Sequence, residues 1–341
     1  MSEVQELFYK YPSIENSYRE EFIGKIIQWG YADIPYCVTE KIHGSNTQID
    51  YNVKTGEFEY GKRTSKIEEG EACYNVQKCF EDIKDKVIAL VEQGQLPDNV
   101  ETIKVYGEVF GGNYPHEEIK KDNHASKVQK GVYYSPHNEW KAFDIAYTLE
   151  GDDKAYFLSG ENFFISCQTV GIDTVPLLTV TNNLKEALEY PNDKESVVYQ
   201  HYALPQLEDN IMEGVVIRPY KTDIWFGQNR LILKNKNDRF KEKSRERKPD
   251  IYVEVPESVK KAIEEIVTYV TENRVNNVIS HLGEVSEKDI GKVIGLTCKD
   301  VWEDFKKESG TFNLLENKEE KMVTKYLNGE VAKVVRKIML K

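Results

Sequence analysis

The chain turns on Ile34-Pro35-Tyr36-Cys37-Val38-Thr39-Glu40-Lys41-Ile42-His43-Gly44-Ser45-Asn46. Residues 34–39 form an apolar-alternating run, the period of a strand, and Gly44 then marks a sharp turn. A strand that delivers one lysine to a turn holds an amine at a defined place, and such an amine can attack phosphorus to form a phosphoramidate. Taken alone, residues 40–46 are equally a surface strand with Lys41 solvated and Gly44 supplying positive φ. The rest of the chain has to decide.

At 341 residues and 40% hydrophobic content, the chain can bury one large core or two modest ones, and two domains are expected. A net charge of −12 argues against a surface that is one broad phosphate-binding field, so any contact with nucleic acid is expected from a local patch. The five cysteines, Cys37, Cys73, Cys79, Cys167 and Cys298, lack Cys-x-x-Cys spacing and read as reduced thiols of a cytoplasm-like compartment. Residues 1–21 carry several acids and no apolar run, so no signal or transit peptide is expected. No stretch approaches the ~20 apolar residues of a membrane span. With no His-Glu-x-x-His pair and no cysteine cluster, zinc is not expected; a metal here would be a hard ion held by carboxylates and phosphates.

The sequence period changes near Pro249. Before it, residues 102–109, 140–147, 214–219 and 230–234 read as strands separated by Gly, Pro and Asn. Residues 72–93 read as a helix, with Val76, Phe80, Ile83, Val87 and Leu90 three to four apart. After Pro256 the period is helical: Val259, Ile263, Ile266 and Val270 make one stripe, and Gly283 follows as a C-cap. Ser286-Glu287-Lys288-Asp289 reads as a helix start with Ile290, Val293 and Ile294 on one face, and amphipathic segments cover residues 312–327 and 330–340. The expected fold is α+β, with a sheet-rich domain over residues 1–245 and a small all-helical domain over residues 250–341.

Between them lies the dense basic segment, residues 230–248, with Arg230, Lys234, Lys236, Arg239, Lys241, Lys243, Arg245, Arg247 and Lys248 against Asp238, Glu242 and Glu246. Residues 241–248 also suit a solvated linker. Lys234 and Lys236 differ, because Leu231, Ile232 and Leu233 place them at the end of a strand, where residues two apart share a face and can point at one anion. A free lysine amine, with a pKa of about 10.4, is protonated at neutral pH; neighbouring cations, a metal and desolvation favour its neutral form. Lys234 and Lys236 could also offset charge on an α-phosphate and on departing pyrophosphate.

Further candidates follow Lys41 in order: Arg63, Glu108 in Tyr106-Gly107-Glu108-Val109-Phe110-Gly111-Gly112, Phe143 in Lys141-Ala142-Phe143-Asp144-Ile145, Glu213 in Met212-Glu213-Gly214-Val215-Val216-Ile217-Arg218, then Lys234-x-Lys236. Each has a bland reading: a surface charge, an edge-strand acid, a core aromatic and a loop acid. As an ordered set they resemble the covalent nucleotidyltransferase superfamily of ATP-dependent ligases and capping enzymes. Within it the chain is similar to the RNA ligase 2 family of phage-type and RNA-editing-type enzymes. The opening Phe8-Tyr9-Lys10-Tyr11-Pro12-Ser13-Ile14-Glu15-Asn16 resembles that family's first block, and residues 40–46 its nucleotidyl motif, with His43 where DNA ligases and capping enzymes usually have Asp. Residues 107–116 and Val132-Tyr133-Tyr134-Ser135-Pro136 resemble the editing-ligase branch.

The resemblance implies an adenylylation domain with antiparallel sheets, an ATP-grasp-like nucleotidyltransferase fold, followed by a helical domain that clamps or positions RNA. It implies ATP and Mg2+ or Mn2+ as cofactors. Lys41 would be the nucleophile; Glu40 would accept from the adenine amino group beside the Ile42 backbone; Phe143 and Val216 would sandwich the base. Arg63 and Glu108 would fix the ribose, Asn46 would donate to phosphate or ribose, and Lys234 and Lys236 would hold the α-phosphate. Glu213, then Glu108, are the metal candidates, while His43 suits a phosphate or water contact. The implied activity is an RNA ligase that forms lysyl-AMP and seals 3′-OH/5′-phosphate RNA ends, at nicks in duplex RNA or at bridged ends, as a monomer without a membrane. A DNA ligase or GTP-using capping guanylyltransferase is the alternative enzyme, although both usually append a β-barrel where this chain shows helical periods. A non-catalytic RNA-binding module is the alternative outside catalysis.

Overall fold

The computed structural model describes residues 10–63, 65–241 and 255–340. Phe8, Tyr9, Thr64 and residues 242–254, with Lys243, Arg245, Arg247, Lys248 and the expected domain boundary, lie outside the described residues. The chain divides into two compact units, Met1–Asn237 and Asp238–Lys341.

Among its described residues, the first unit is built on two sheets. One holds β1 (Glu15–Asn16), β2 (Tyr36–Glu40), β9 (Leu177–Thr181), β10 (Gly214–Pro219) and β13 (Leu233–Lys236), in the order β1-β13-β10-β2-β9. Its pairs are antiparallel except β1 with β13. The other holds β3 (Ser45–Asn52), β4 (Phe58–Lys62), β5 (Ser65–Lys66), β6 (Val100–Gly111), β7 (Asn138–Leu149) and β8 (Asp152–Phe157), ordered β5-β4-β3-β6-β7-β8 and antiparallel throughout. A short hairpin, β11 (Trp225–Phe226) and β12 (Asn229–Arg230), stands apart.

Helices close one face of each sheet. Phe22 and Ile26 of α1 (Glu20–Gln28), with Leu184 and Ala187 of α5 (Leu184–Leu188), pack on Val38, Val215, Ile217 and Leu233. On the larger sheet, Ile103, Val105 and Ile145 pack under α2 (Val76–Glu81), α3 (Lys84–Gln93) and α4 (Gly160–Val170) through Phe80, Val87, Leu90 and Phe163. Phe80 is fully buried, edge-on to Trp140 at 5.6 Å. Because a side chain points opposite to its neighbours on a strand, Val216 faces away from the Val215–Ile217 core; Thr39 and Lys234, in register with Val216, share that face, and so does Lys236 opposite Gly214.

Two elements of this unit differ from the sequence reading. The helix expected over residues 72–93 is two helices, α2 and α3, interrupted at Asp82 and Ile83; Tyr74 and Asn75 stand outside at φ 48 and 56. The apolar spacing runs on through the break because both pieces bury Phe80, Val87 and Leu90 on one sheet. The strand expected over residues 230–234 is split, since the Arg230 guanidinium turns inward to Asp144 and Asp223 and β13 begins only at Leu233.

The second unit is helical: α6 (Glu257–Ile266), α7 (Glu272–Leu282), α8 (Ile290–Glu308) and α9 (Asn317–Met339). The Val259–Val270 stripe crosses a helix end, for α6 gives way to a 3-10 turn and Thr271 Oγ1 caps α7 by accepting from the Arg274 N–H at 3.2 Å. Ser286 and Asp289 form a capping box ahead of α8, and α7 ends at Gly283. The two amphipathic segments expected over residues 312–340 are one long helix, α9, preceded by a 3-10 turn at Phe312–Leu314. Gly329 costs such a helix about 1 kcal/mol relative to Ala, which burial of Leu327 and Val331 on either side outweighs. No spacing in the sequence marks Arg274, which is 2% exposed, with Nη2 on Asp304 at 2.8 Å, Nη1 on Asp300 and Nε donating to the Tyr269 carbonyl at 3.0 Å.

Among the described residues no helix is long and apolar enough to cross a membrane. None of the five cysteines, all of them described, forms a disulfide, and all but Cys79 are buried.

Candidate active site

β2 belongs to one sheet and β3 to the other, so residues 41–44 are the link between sheets. Three of its amides are held from three directions. Lys41 N–H donates to the Gly214 carbonyl at 2.9 Å, His43 N–H to the Tyr134 hydroxyl at 2.8 Å, and Gly44 N–H to Glu108 Oε1 at 3.1 Å. The Ile42 N–H has no acceptor among the described residues, which leaves it available to a bound base. Gly44 is not in the left-handed region that the turn reading supplied it for; it is needed because a Cβ there would stand 2.2 Å from the Val109 carbonyl oxygen. Gly214 is the second tight place, at φ 149 with a Cβ position 2.1 Å from the Asn235 carbonyl oxygen.

Lys41 meets Glu213 across the link. Its Nζ lies 2.8 Å from Glu213 Oε2, His43 Nδ1 lies 3.4 Å from the same oxygen, and Lys236 Nζ lies 3.0 Å from Oε1. Glu213 is 1% exposed. Burial opposes its ionisation, but Lys41, Lys236 and His43 together hold its carboxyl well below the usual carboxylate range. The neighbour of Lys41 is therefore an acid, where the sequence reading had placed the two downstream lysines. An amine bonded to a carboxylate is in a resting arrangement, and attack on phosphorus requires Lys41 to leave Glu213.

Two buried oxygens in the site have no hydrogen-bond partner: Glu40 Oε1 and Asn46 Oδ1. Glu40 Oε2 accepts from the Val197 N–H at 2.9 Å, and burial pushes the acid up to about 7 despite bonds from Ser196 and Val197. An unsatisfied carboxylate oxygen at a buried position is costly unless a ligand donor meets it. Asn46 is paired in register with Glu108, so the two side chains share a face of the large sheet. Burial pushes Glu108 up to about 7 as well; Lys41 and Arg63 oppose this while Glu213 adds to it.

Two mutually repelling carboxylates with an unpartnered amide oxygen suit a hard, hydrated divalent ion shared with phosphates. Among the described residues no cluster of three or more His, Cys, Asp or Glu could enclose a metal by protein ligands alone. The donor set fits Mg2+ or Mn2+ on those terms.

Phe143 is half-buried between Ala142 and Asp144, both fully buried. Tyr11 packs edge-on against it, centroids 5.0 Å apart at 74°. Val216 is likewise partly open between two fully buried neighbours. Behind Phe143, Asp144 accepts from the Tyr11 hydroxyl at 2.9 Å, from Arg218 at 2.8 Å and from Arg230. Burial disfavours this carboxylate, but Arg230 and Arg218 hold it below its usual range. Asp144 on β7 and Arg218 on β10 thus tie the sheets together. Asp144 follows Phe143 in a strand, and nothing in that place along the sequence marks it as an ion-pair hub.

Of the remaining candidates, Arg63 lies in the turn after β4 and acts electrostatically on Glu108, Ile42 is buried, and Lys234 shares a face with Val216 and Lys236. The structure thus brings Lys41, His43, Glu213 and Lys236 into direct contact, with Glu108 joined to their link. Phe143 and Val216 stand on different sheets.

Two family models match the sequence. The one described as RNA ligase matches residues 34–236, more than half the chain, and the one described as T4 RNA ligase 2 C-terminal matches residues 253–333. The chain is 26% identical over 230 residues to mitochondrial RNA-editing ligase 1 of Trypanosoma brucei brucei, covering 58% of this chain and 48% of that protein. It thus spans about half the length of that relative. It is 24% identical over 353 residues to mitochondrial RNA-editing ligase 2 of the same organism, covering 89% of this chain and 84% of that protein. An RNA ligase of Naegleria gruberi aligns with it at a TM-score of 0.46 and 14% identity, over 68% of this chain and 57% of that one.

Proposed function

Because this chain belongs to the RNA ligase family, we propose that it is an ATP-dependent RNA ligase that carries AMP on Lys41 and joins a 3′-OH to a 5′-phosphate RNA end. The observation that carries this reading is the meeting of Lys41 and Lys236 on the two oxygens of buried Glu213. A nucleophilic amine, a second cation and an acid occupy one point on the face that also carries Val216 and Lys234.

The residues divide the work by chemistry. Glu40 Oε1, which lacks a partner, accepts the adenine amino group, and the unbonded Ile42 N–H donates beside it. Phe143 and Val216 flank the base, Arg63 and Glu108 fix the ribose, and Asn46 contacts phosphate or ribose. Lys234 and Lys236 hold the α-phosphate while Lys41 attacks it in line and pyrophosphate departs. His43 donates to phosphate or water. Glu213 and Glu108 would hold a hydrated Mg2+ or Mn2+, whose charge offsets that of the phosphates. AMP then passes to the 5′-phosphate of RNA, and the adjacent 3′-OH displaces it to close the strand.

The favoured substrate is a nick in duplex RNA or a pair of bridged ends, read through A-form shape and 2′-OH groups. The basic residues from Arg239 to Lys248 and the helical unit would supply the grip, so sealing should weaken steeply with salt. The trypanosome relatives are named as editing ligases, which supports RNA over DNA as the substrate. One chain carries every group invoked, so a monomer suffices. Five unpaired thiols suit a reducing compartment such as the cytoplasm.

Incubation with α-labelled ATP and Mg2+ tests the reading: wild type should acquire covalent label that survives denaturation and alkali and is released by acid, as a phosphoramidate is, and that GTP cannot supply, and Lys41→Ala should acquire none. Failure of wild type to label defeats it. Sealing of matched nicks with RNA or DNA on each side of the break then tests the substrate.

A further inference from the structure

No role above falls to residues 132–136, yet they reach both halves of the candidate site. Tyr134 is 1% exposed, its ring edge-on to Phe110 at 5.3 Å, and its hydroxyl accepts the His43 N–H at 2.8 Å. Its neighbour Tyr133 exchanges two bonds with the Asn210 side chain: Tyr133 N–H donates to Oδ1 and the Tyr133 carbonyl accepts from Nδ2, each at 2.8 Å. Asn210 is 2% exposed, lies three residues before Glu213, and accepts the Ser196 N–H on its own carbonyl at 3.0 Å. Two adjacent tyrosines therefore fasten the link that carries Lys41 and the loop that carries Glu213.

The position of that fastening matters. At one end of the link the Lys41 N–H is fixed by Gly214 of the smaller sheet, and at the other the Gly44 N–H is fixed by Glu108 of the larger. The His43 amide, in the middle, is bound by a group from neither sheet. Without that bond two peptide units can turn between fixed ends, and the root of the Lys41 side chain turns with them. A misplacement of about 1 Å can cost on the order of a hundredfold in rate. The hydroxyl keeps its own proton, because burial, with Glu40, Glu213 and Glu108 close by, holds the phenol well above its ordinary pKa.

We propose that Tyr134 is a positioning residue for Lys41: its hydroxyl pins the midpoint of the inter-sheet link, so that the lysine amine presents itself to the α-phosphate in one orientation. This rests on the catalytic reading of Lys41 given above. The Tyr134→Phe change keeps the packed ring and removes only the hydroxyl that accepts the His43 N–H.

The test is single-turnover formation of lysyl-AMP across a series of ATP concentrations. Tyr134→Phe should lower the rate constant at saturating ATP by about 10- to 100-fold while half-saturating ATP moves by less than about threefold. A wild-type rate, or a half-saturation that worsens as much as the rate, overturns the proposal. Should the Phe variant fail to fold, Asn210→Asp keeps the acceptor for the Tyr133 N–H and loses the donor to its carbonyl. It should show the same split at about 3- to 10-fold, and an unchanged rate overturns the proposal equally. Wild type that stays unlabelled defeats the catalytic reading and this inference with it. Wild type that labels, matched by both variants, defeats only the inference.

Discussion

Lys41 Nζ lies 2.8 Å from Oε2 of Glu213, a carboxylate 172 residues further along the chain. The pair defines a resting state in which the proposed nucleophile is restrained by the acid proposed to hold the metal. A cation held by Glu213 would free the lysine for phosphate, so that loading of the site and activation of the amine would become one event.

Glu213→Gln keeps the shape of the side chain and removes its charge, leaving Lys41, Lys236 and His43 facing a neutral amide. Breaking one side of a buried ion cluster costs about 3–5 kcal/mol. Urea denaturation should register a loss of that order, and the labelling assay should show no lysyl-AMP. A variant as stable as wild type would show that the cations are relieved by water instead.

Glu40 links recognition to pH. Its carboxyl is moved from 4.5 to about 7, so the folded chain keeps that proton over a range in which the unfolded chain has lost it. The stability Glu40 contributes therefore falls as pH rises from 4.5 toward 7, while its capacity to accept an amino hydrogen bond increases through about 7. ATP affinity measured by calorimetry should rise roughly tenfold between pH 6 and pH 8, following the ionised fraction. Glu40→Gln should flatten that rise, any residual slope belonging to Glu108, whose carboxyl is also pushed up to about 7.

Gly44→Ala sets a methyl group 2.2 Å from the Val109 carbonyl oxygen and 2.8 Å from Glu108 Cγ. The backbone of β6 has no room to yield without breaking its register with β3. A loss of about 1–3 kcal/mol is expected, together with loss of label. Thermal melting at wild-type temperature would show that the close approach is not real.

Asp144→Asn leaves the buried Arg218 guanidinium without its counter-charge and Arg230 with Asp223 alone. The expected cost is about 3–5 kcal/mol. Tyr11 would also compete with both guanidinium groups for the single amide oxygen that remains, loosening the ring packed against Phe143. Weaker ATP binding in chemically stabilised protein, read by calorimetry, would confirm the connection, and unchanged binding would separate Asp144 from the base slot.

The architecture was legible where burial imposes a period. Residues 214–219 read as a strand and form β10, because their alternation reflects one helix-covered face and one open face. The paired spacing of Lys234 and Lys236 likewise survives in β13. What the sequence hid was tertiary charge. Arg230 opens both the dense basic segment and the strand expected over residues 230–234, and it is instead buried on Asp144, which is why that strand breaks. Lys41 was expected among cations, but sequence spacing carries no sign of which charge a distant loop brings, and the loop brings Glu213. Tyr134 lay inside a quoted motif without a role, since its contact with His43 joins residues 91 apart.

Residues 41–44 are the seam at which the chain passes from one sheet to the other, anchored at both ends and at the midpoint. One codon gained or lost there would invert the in–out phase of either β2 or β3, turning a buried row of side chains to the wrong side. Length, as much as identity, is therefore under constraint in this connection. Indels that ordinary surface loops absorb would here displace Lys41 and disrupt the core alike.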